Sequence, residues 1–374
     1  MNFWRSDNGA GKCKTQTKFF EKTWFVFCGL LLIGLIACSP EPTATPIPPT
    51  PTAIAVPTLG PPQATPAPQL AGRLWVDQAL GDFWRIELAS GQVGRVNTPS
   101  DIFPAQPSLT QDGRQLVLQG AKKTGDGVPT QQFGLYINGK LALPALGNFS
   151  YEDAAWSADG TQIFFTRVGA ESDSPKPTDS FLAIQVGDAK DMLSARTLIT
   201  NAFQPAPSPN GEWLAYVFVD TSQPMSLTRS IRARNLQTNE DRIVIKPNQF
   251  EDVYGPRWLN DTQLIFSAAD VSLLSGSSNK RVPMRMLDAL LSVQVAAAHS
   301  WSGQVWRVNF DGIDGTNLVQ LTQAKLQAPI AAPSPDGAHI AVLAYDGLFV
   351  MNADGTAWTQ ISEDGGNGGL AWTR

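Results

Sequence analysis

Short apolar strands follow tight polar turns at five places along the chain, and this alternation is the most regular feature of the sequence. In the clearest copy, Pro333-Ser334-Pro335-Asp336-Gly337 precedes the apolar run Ile340-Ala341-Val342. The other copies begin near Pro107, Ala155, Pro207 and Pro256. Asp, Asn and Gly suit tight turns, because the first two cap their own backbone and glycine accepts a positive φ. Each copy therefore predicts two strands joined by a turn.

The spacing of the copies predicts how the strands are grouped. The first four copies begin roughly 50 residues apart, which leaves room for four short strands each. This spacing is typical of a β-propeller, an all-β ring of four-stranded antiparallel blades. The second to sixth blades are expected at 107–143, 154–199, 205–245, 256–322 and 333–361.

The two ends of the repeat region predict how the ring closes. Residues 72–96 supply three strands but no opening strand, and Gly369-Leu370-Ala371-Trp372-Thr373 is an opening strand with no blade after it. Pairing these ends would complete one shared blade. A six-bladed ring closed in this way has no exposed sheet edges.

The repeats resemble those of the TolB-like six-bladed propeller family. Its motif runs Trp or Pro, then Ser-Pro-Asp-Gly, two further residues and an apolar strand, and the resemblance covers residues 72–374. Asn260-Asp261-Thr262 departs from the motif because it lacks the glycine, and the first blade is degenerate. The resemblance implies protein–protein contact at the cell envelope.

The N-terminal segment predicts that the protein is located outside the cytoplasm. Residues 1–23 carry net positive charge, and the apolar run 24–37 is shorter than the ~20 residues that span a bilayer as a helix. The run ends in Leu35-Ile36-Ala37-Cys38, which resembles the bacterial lipobox. That resemblance implies cleavage of a signal peptide at 1–37 and lipidation of Cys38, which anchors the chain at the cell membrane. An uncleaved signal anchor with an incidental cysteine is the alternative.

Residues 38–71 are expected to be a tether. Positions 39–71 contain eleven prolines and six threonines, and Glu41 is their one charged residue. Such a composition favours an extended polyproline-like chain, whose reach at ~3.1 Å per residue is on the order of 100 Å. Either a spacer through a wall layer or a passive linker is consistent with this composition.

Composition narrows the classes of function. The formal net charge is −5 and becomes more negative without the basic N-terminus, which argues against a nucleic-acid partner. All three cysteines precede residue 39, so the repeats have no disulfide framework. Two histidines are too few for a His-rich metal site, and no Gly-x-Ser-x-Gly or His-Glu-x-x-His motif occurs. We therefore expect no cofactor, no metal and no catalysis.

Two sets of repeated residues could be mistaken for functional sites. Asp112, Asp159, Asp336 and Asp354 could pair as carboxylates or bind a metal, but their spacing fits turns, and Asn210 replaces Asp in one copy. Trp156, Trp258 and Trp372 recur at one repeat position. They are expected to pack between blades, and a binding platform is the alternative.

Loop lengths predict which face of the ring binds. The connections between the second and third strands of a blade are expected to be long at 119–133, 168–180, 219–229 and 270–303, and all would emerge on one face. The largest contains 283–293, which fits a short helix, or an extra strand at 291–295. The candidate binding residues on this face are Lys122, Lys123, Asp173, Lys176, Arg229, Lys280, Arg281 and Arg285.

The function expected from these patterns is binding without catalysis. A monomeric, lipid-anchored propeller would bind a protein or cell-envelope partner through its long loops. A ligand- or glycan-binding module that uses the central channel is one alternative. An enzyme with residues gathered around that channel is another.

Overall fold

A computed structural model describes residues 70–77, 83–125, 129–146, 149–169, 181–222, 228–269, 302–323, 326–366 and 368–374. The regular structure of these residues is β-strand. No helix among them has the length and apolarity needed to cross a membrane. The signal peptide, the lipobox and most of the tether lie outside the described residues.

The described strands form six antiparallel sheets, and each sheet is one blade. The first blade contains β1 (Arg73–Asp77), β2 (Phe83–Glu87) and β3 (Gln92–Arg95). The second contains β4 (Ile102–Leu109), β5 (Leu116–Lys123), β6 (Pro129–Ile137) and β7 (Lys140–Leu143). The third contains β8 (Ser150–Trp156), β9 (Gln162–Val168), β10 (Leu182–Asp188) and β11 (Asp191–Thr200).

The remaining strands continue the same order. The fourth blade contains β12 (Ala202–Pro207), β13 (Trp213–Asp220), β14 (Thr228–Asn235) and β15 (Asp241–Ile245). The fifth contains β16 (Asp252–Asn260), β17 (Gln263–Ala269), β18 (Ser302–Phe310) and β19 (Gly315–Gln320), with β20 (Leu326–Gln327) paired to β18. The sixth contains β21 (Ile330–Pro333), β22 (His339–Ala344), β23 (Gly347–Asn352) and β24 (Thr359–Ser362), and the chain ends with β25 (Gly369–Thr373).

The predicted closure of the ring is confirmed. β25 pairs with β1 in an antiparallel register that runs from Arg73 opposite Thr373 to Asp77 opposite Gly369. The Trp75 Nε1–H donates to Thr373 Oγ1 at 3.1 Å, and the Trp372 Nε1–H donates to the carbonyl of Ala71 at 3.0 Å. The last strand therefore completes the first blade and covers the inner edge of β1.

The turn residues repeat one hydrogen-bonding pattern. In the sixth blade the Ser334 hydroxyl donates to Asp336 Oδ1, which also accepts the backbone N–H of Ala338 at 3.0 Å. The N–H of His339 in turn donates to Ser334 Oγ at 2.9 Å. The pattern recurs at the pairs Thr110/Asp112, Ser157/Asp159 and Ser208/Asn210.

Hydrogen bonds hold the carboxylates of these turns in their charged form. Donation from Ser334, together with the backbone N–H of Ala338, keeps the pKa of Asp336 below its ordinary value. The pKa values of Asp112, Asp159 and Asp354 are lowered for the same reason. The interpretation of these aspartates as turn residues is confirmed.

Gly337 shows why one of these turns needs glycine. Its φ is +70°, a left-handed conformation that L side chains rarely adopt. A Cβ at this position would also lie 2.7 Å from the carbonyl oxygen of Leu259 in the preceding blade. The turn of the sixth blade therefore approaches the fifth blade too closely for any side chain.

The core lies between neighbouring blades. One buried cluster joins the fourth and fifth blades and includes Trp213, Trp258 and Phe310, whose rings contact edge to face. The Trp258 Nε1–H donates to the carbonyl of Ala206 in the preceding blade at 2.8 Å, and Trp156 does the same to Ser108 at 3.3 Å. Trp372 lies in a buried cluster shared by the first and sixth blades. The predicted packing of Trp156, Trp258 and Trp372 between blades is therefore confirmed.

Two of the predicted loops are shorter than expected, so their predicted boundaries are wrong. β5 continues to Lys123 and β6 begins at Pro129, which leaves 124–128 as the connection in place of 119–133. In the fourth blade, the connection is 221–227 in place of 219–229. The polar residues at the ends of the predicted loops form backbone hydrogen bonds with the neighbouring strand. A strand can carry polar residues because every second side chain can face water. Polarity alone therefore did not mark where the strands end.

Candidate functional site: the central cavity and the two faces of the ring

The strand order separates the connections into two faces of the ring. The turns between first and second strands, which we call the turn face, lie at 110–115, 157–161, 208–212, 261–262 and 334–338. The connections between second and third strands define the insertion face and lie at 78–82, 124–128, 169–181, 221–227, 270–301 and 345–346. Because successive strands are antiparallel, these two sets emerge at opposite ends of every blade.

Lys122 and Lys123 end β5 at the insertion face, and both are exposed. The Lys123 ammonium donates to the carbonyl of Ser100 at 2.8 Å and lies 5.0 Å from the centre of the Phe103 ring. Lys122 is opposite Ile102 in the ladder. Of the two, Lys123 therefore already has internal partners.

Arg229 lies in β14 and not in a loop. Its Nη1 is 2.6 Å from Asp252 Oδ1 and 2.7 Å from Oδ2, and its guanidinium lies 5.5 Å from the centre of the Phe203 ring. Asp252 opens the fifth blade, so this ion pair joins two blades. The other predicted site residues lie outside the described residues: Leu35, Ile36, Ala37, Cys38, Asp173, Lys176, Lys280, Arg281 and Arg285.

A cavity of about 220 Å³ lies where the inner strands converge, on the side of the turn face. One position of the repeat contributes to its wall from every blade. The residues at this position are Ser108, Ala155, Ala206, Arg257, Ala332 and Ala371. Five of the six are small, and Arg257 is the exception.

Arg257 is the one charged residue among the described residues that line this cavity. Its Nη1 donates to the carbonyl of Pro256 at 2.9 Å, and the residue is partly accessible. Burial lowers the pKa of Arg257, and the nearby carboxylate of Asp153 opposes that effect. The cavity therefore combines a wall of small, mostly uncharged residues with a single cation.

A belt of hydrogen bonds crosses from blade to blade along the inner strands. Gln106, Asp153 and Gln204 occupy one repeat position, each with a φ between 47° and 55° in an irregular part of its strand. The backbone N–H of Asp153 donates to Gln106 Oε1 at 3.0 Å, and that of Gly255 donates to Gln204 Oε1 at 2.7 Å. Each glutamine thus joins its blade to the next one.

An aspartate takes part in two further links of the belt. The N–H of Gln106 donates to Asp77 Oδ2 at 3.2 Å. Thr166 Oγ1 accepts the N–H of Gln204 at 3.1 Å and donates to Asp153 Oδ2 at the same distance. This belt was not predicted from the sequence. One signal was available, because all three residues stand four positions before the Ser or Thr of the following turn.

Two adjacent acids lie in β8 beside this belt. Glu152 is 8% exposed, and burial, reinforced by Asp153, raises its pKa to about 8, although a hydrogen bond with Ser150 acts in the opposite direction. Burial also raises the pKa of Asp153, against the lowering effect of its hydrogen bond with Thr166. Neither acid is among the residues that line the cavity.

Metal-ligating side chains are not gathered in the described part of the chain. No three His, Cys, Asp or Glu residues there are placed so that they could hold a metal ion.

Comparisons with known proteins bear on the fold. No protein-family model matches the chain. No curated protein matches it either. A chain in the crystal structure of a nidogen/laminin complex superposes with a TM-score of 0.53 at 11% identity, over 81% of this chain and 99% of that one. The fold is a six-bladed β-propeller.

Two solved TolB structures are also similar. Putative TolB from Agrobacterium tumefaciens has 13% identity and a TM-score of 0.49, over 81% of this chain and 99% of that one. TolB from Acinetobacter baumannii has 14% identity and a TM-score of 0.38, over 78% of each chain.

Proposed function

We propose that the propeller binds a protein or cell-envelope partner through its insertion face, without catalysis, while a lipid on Cys38 holds it at the outer surface of the cell membrane. The observation that carries the proposal is the difference between the two faces. Polar groups of the turn face are largely used within their own turns, as the Ser334–Asp336 pattern illustrates. The insertion face carries the longer connections and the exposed Lys122.

The placement of the ionisable groups supports binding over catalysis. A general acid or base must come within hydrogen-bond distance of the group that it protonates or deprotonates. Glu152 and Asp153 have raised pKa values, yet burial causes both shifts, and neither side chain lines the cavity. These carboxyls are consistent with a role inside the blade packing.

The proposed location at the cell membrane is inferred from the sequence of the N-terminus. Dual acylation supplies enough buried methylene groups for stable anchoring, which a single chain does not. Replacing Cys38 by alanine should therefore move the protein from the membrane fraction to the soluble fraction or leave it as an unprocessed precursor. Unchanged membrane association with a normally cleaved N-terminus would contradict the anchor.

The binding face can be tested by crosslinking the full-length protein in cells of its source. Lys122→Glu reverses a charge at the insertion face, and Lys140→Glu reverses an exposed charge of the same blade at the opposite end. Capture of partners should fall at least several-fold with Lys122→Glu, or when 270–301 is replaced by a short Gly/Ser linker. The Lys140→Glu control should capture as the wild type does. Equal capture by all variants would exclude the insertion face.

A further inference from the structure

The central cavity has a feature that neither the fold nor the proposed function requires. Five blades place alanine or serine at the repeat position that lines it, and the fifth blade places Arg257 there. The adjacent Trp258 makes the same hydrogen bond to the preceding blade that Trp156 makes, although Trp156 follows Ala155. Blade packing therefore does not need an arginine at this position.

The arginine at this position is also partly withdrawn from water. Removing a charged group from water is unfavourable unless it is paired, and burial accordingly lowers the pKa of Arg257. A residue that breaks a repeat pattern in this way is a candidate for a functional role.

The internal partners of Arg257 leave donors unused. A guanidinium has five N–H donors, and the described contacts assign one bond of Nη1, to the Pro256 carbonyl. The carboxylate of Asp153 is a nearby opposite charge, but within the described part of the chain Asp153 and Arg257 form no ion pair. The Asp153 carboxylate instead accepts a hydrogen bond from the Thr166 hydroxyl. The cavity side of the guanidinium is thus suited to an incoming anion.

We infer that the cavity binds a carboxylate through Arg257 and that this ligand enters from the turn face. Arginine matches carboxylates because two parallel N–H donors meet the two oxygens. The cavity volume of about 220 Å³ suits a small ligand or a chain end. Its proline and alanine wall suits an apolar body behind the carboxylate, supplied by a small carboxylic acid or by the C-terminus of an extended peptide.

This inference concerns the opposite end of the ring from the proposed partner face, so the two can fail separately. Binding can be measured by isothermal titration calorimetry on the full-length protein in detergent. The probes are propionate, N-acetyl-dialanine with a free carboxylate, and the amide of each. A carboxylate should bind at least ten times more tightly than its amide. Lys122→Glu, at the insertion face, should leave this binding unchanged.

Arg257→Ala is the decisive variant, since alanine already occupies the position in four other blades. It should retain the fold, verified by circular dichroism and thermal unfolding, and lose at least tenfold in affinity for the carboxylate. Arg257→Lys keeps the charge but not the paired donors and should lie between the two. Propionate binding as tightly as the peptide indicates a small acid, and binding by the peptide alone indicates a chain terminus.

Three results would overturn the inference. The first is that neither carboxylate binds the wild type at millimolar concentration. The second is that acid and amide bind equally, and the third is that the affinity for the carboxylate is unchanged in Arg257→Ala. The comparison of acid with amide uses the wild type alone, so it remains decisive even if a variant fails to fold.

Discussion

The turn face and the insertion face of this ring are built from the same blades but are organised differently. At the turn face, a Ser or Thr hydroxyl paired with Asp or Asn closes four of the described hairpins, and tryptophans of the repeat tie neighbouring blades together. At the insertion face, connections differ in length from blade to blade, and exposed lysines end β5. The residues of the repeat motif therefore stabilise the turn face, whereas the length and sequence of the connections at the insertion face are not fixed by the motif.

The largest effect on this comparison should come from Trp258→Ala at the turn-face half of β16. Trp258 is 6% exposed, contacts the ring of Phe310 and donates to the Ala206 carbonyl. Its truncation should cost about 3–5 kcal/mol, through the cavity created and the lost hydrogen bond. Urea unfolding measures this free energy. A loss below about 1 kcal/mol would show that the repeated tryptophan does not hold the blades together.

Glu152→Gln should give the second-largest effect, and its direction depends on pH. Burial raises the pKa of Glu152 to about 8, above the ordinary value of 4.5. The neutral carboxyl therefore stabilises the fold fully below pH 4.5, and this contribution is lost as the pH rises towards 8. Glutamine stays neutral, so the variant should exceed the wild type in stability at pH 8 by a few kcal/mol and match it near pH 4.

Thermal unfolding across pH 4–9 tests this difference. Glu363→Gln, at an exposed position near the C-terminus, is the matched control and should follow the wild-type curve. A Glu152→Gln curve parallel to the wild type would mean that Glu152 is ionised in the folded protein, which would contradict its burial as the controlling effect.

The repeats allowed the number of blades, the closure by β25 and the role of the turn aspartates to be predicted from the sequence. Each depends on local backbone chemistry that recurs at fixed spacing. The belt through Gln106, Asp153 and Gln204 depends instead on side chains reaching the backbone of a neighbouring blade, which only packing determines. Arg257 was visible as a departure from Ala155 and Ala371 before their tryptophans, but its position in the cavity required the ring.

Asp336→Ala tests the turn chemistry and should have a smaller effect. The variant loses the bonds from the Ser334 hydroxyl and the Ala338 N–H, which should cost about 1 kcal/mol. The pKa of Asp336 is lowered in the fold, so the stabilisation is present above the ordinary pKa and is lost on acidification. Asp336→Asn should be nearly neutral at pH 7, because Asn210 fills the same role in the fourth blade. Urea midpoints that fall equally for both variants would contradict this account.

The smallest effect on stability should come from the pair Lys122→Glu and Lys140→Glu. Both side chains are exposed, in one blade, at opposite faces. Each change should alter the free energy of unfolding by no more than about 0.5 kcal/mol, as is usual for surface substitutions. Thermal unfolding of the two variants therefore decides whether the amounts of partner that they capture can be compared directly. If Lys122→Glu alone unfolds at a clearly lower temperature, the end of β5 contributes to the fold, and its loss of capture would no longer indicate a binding surface.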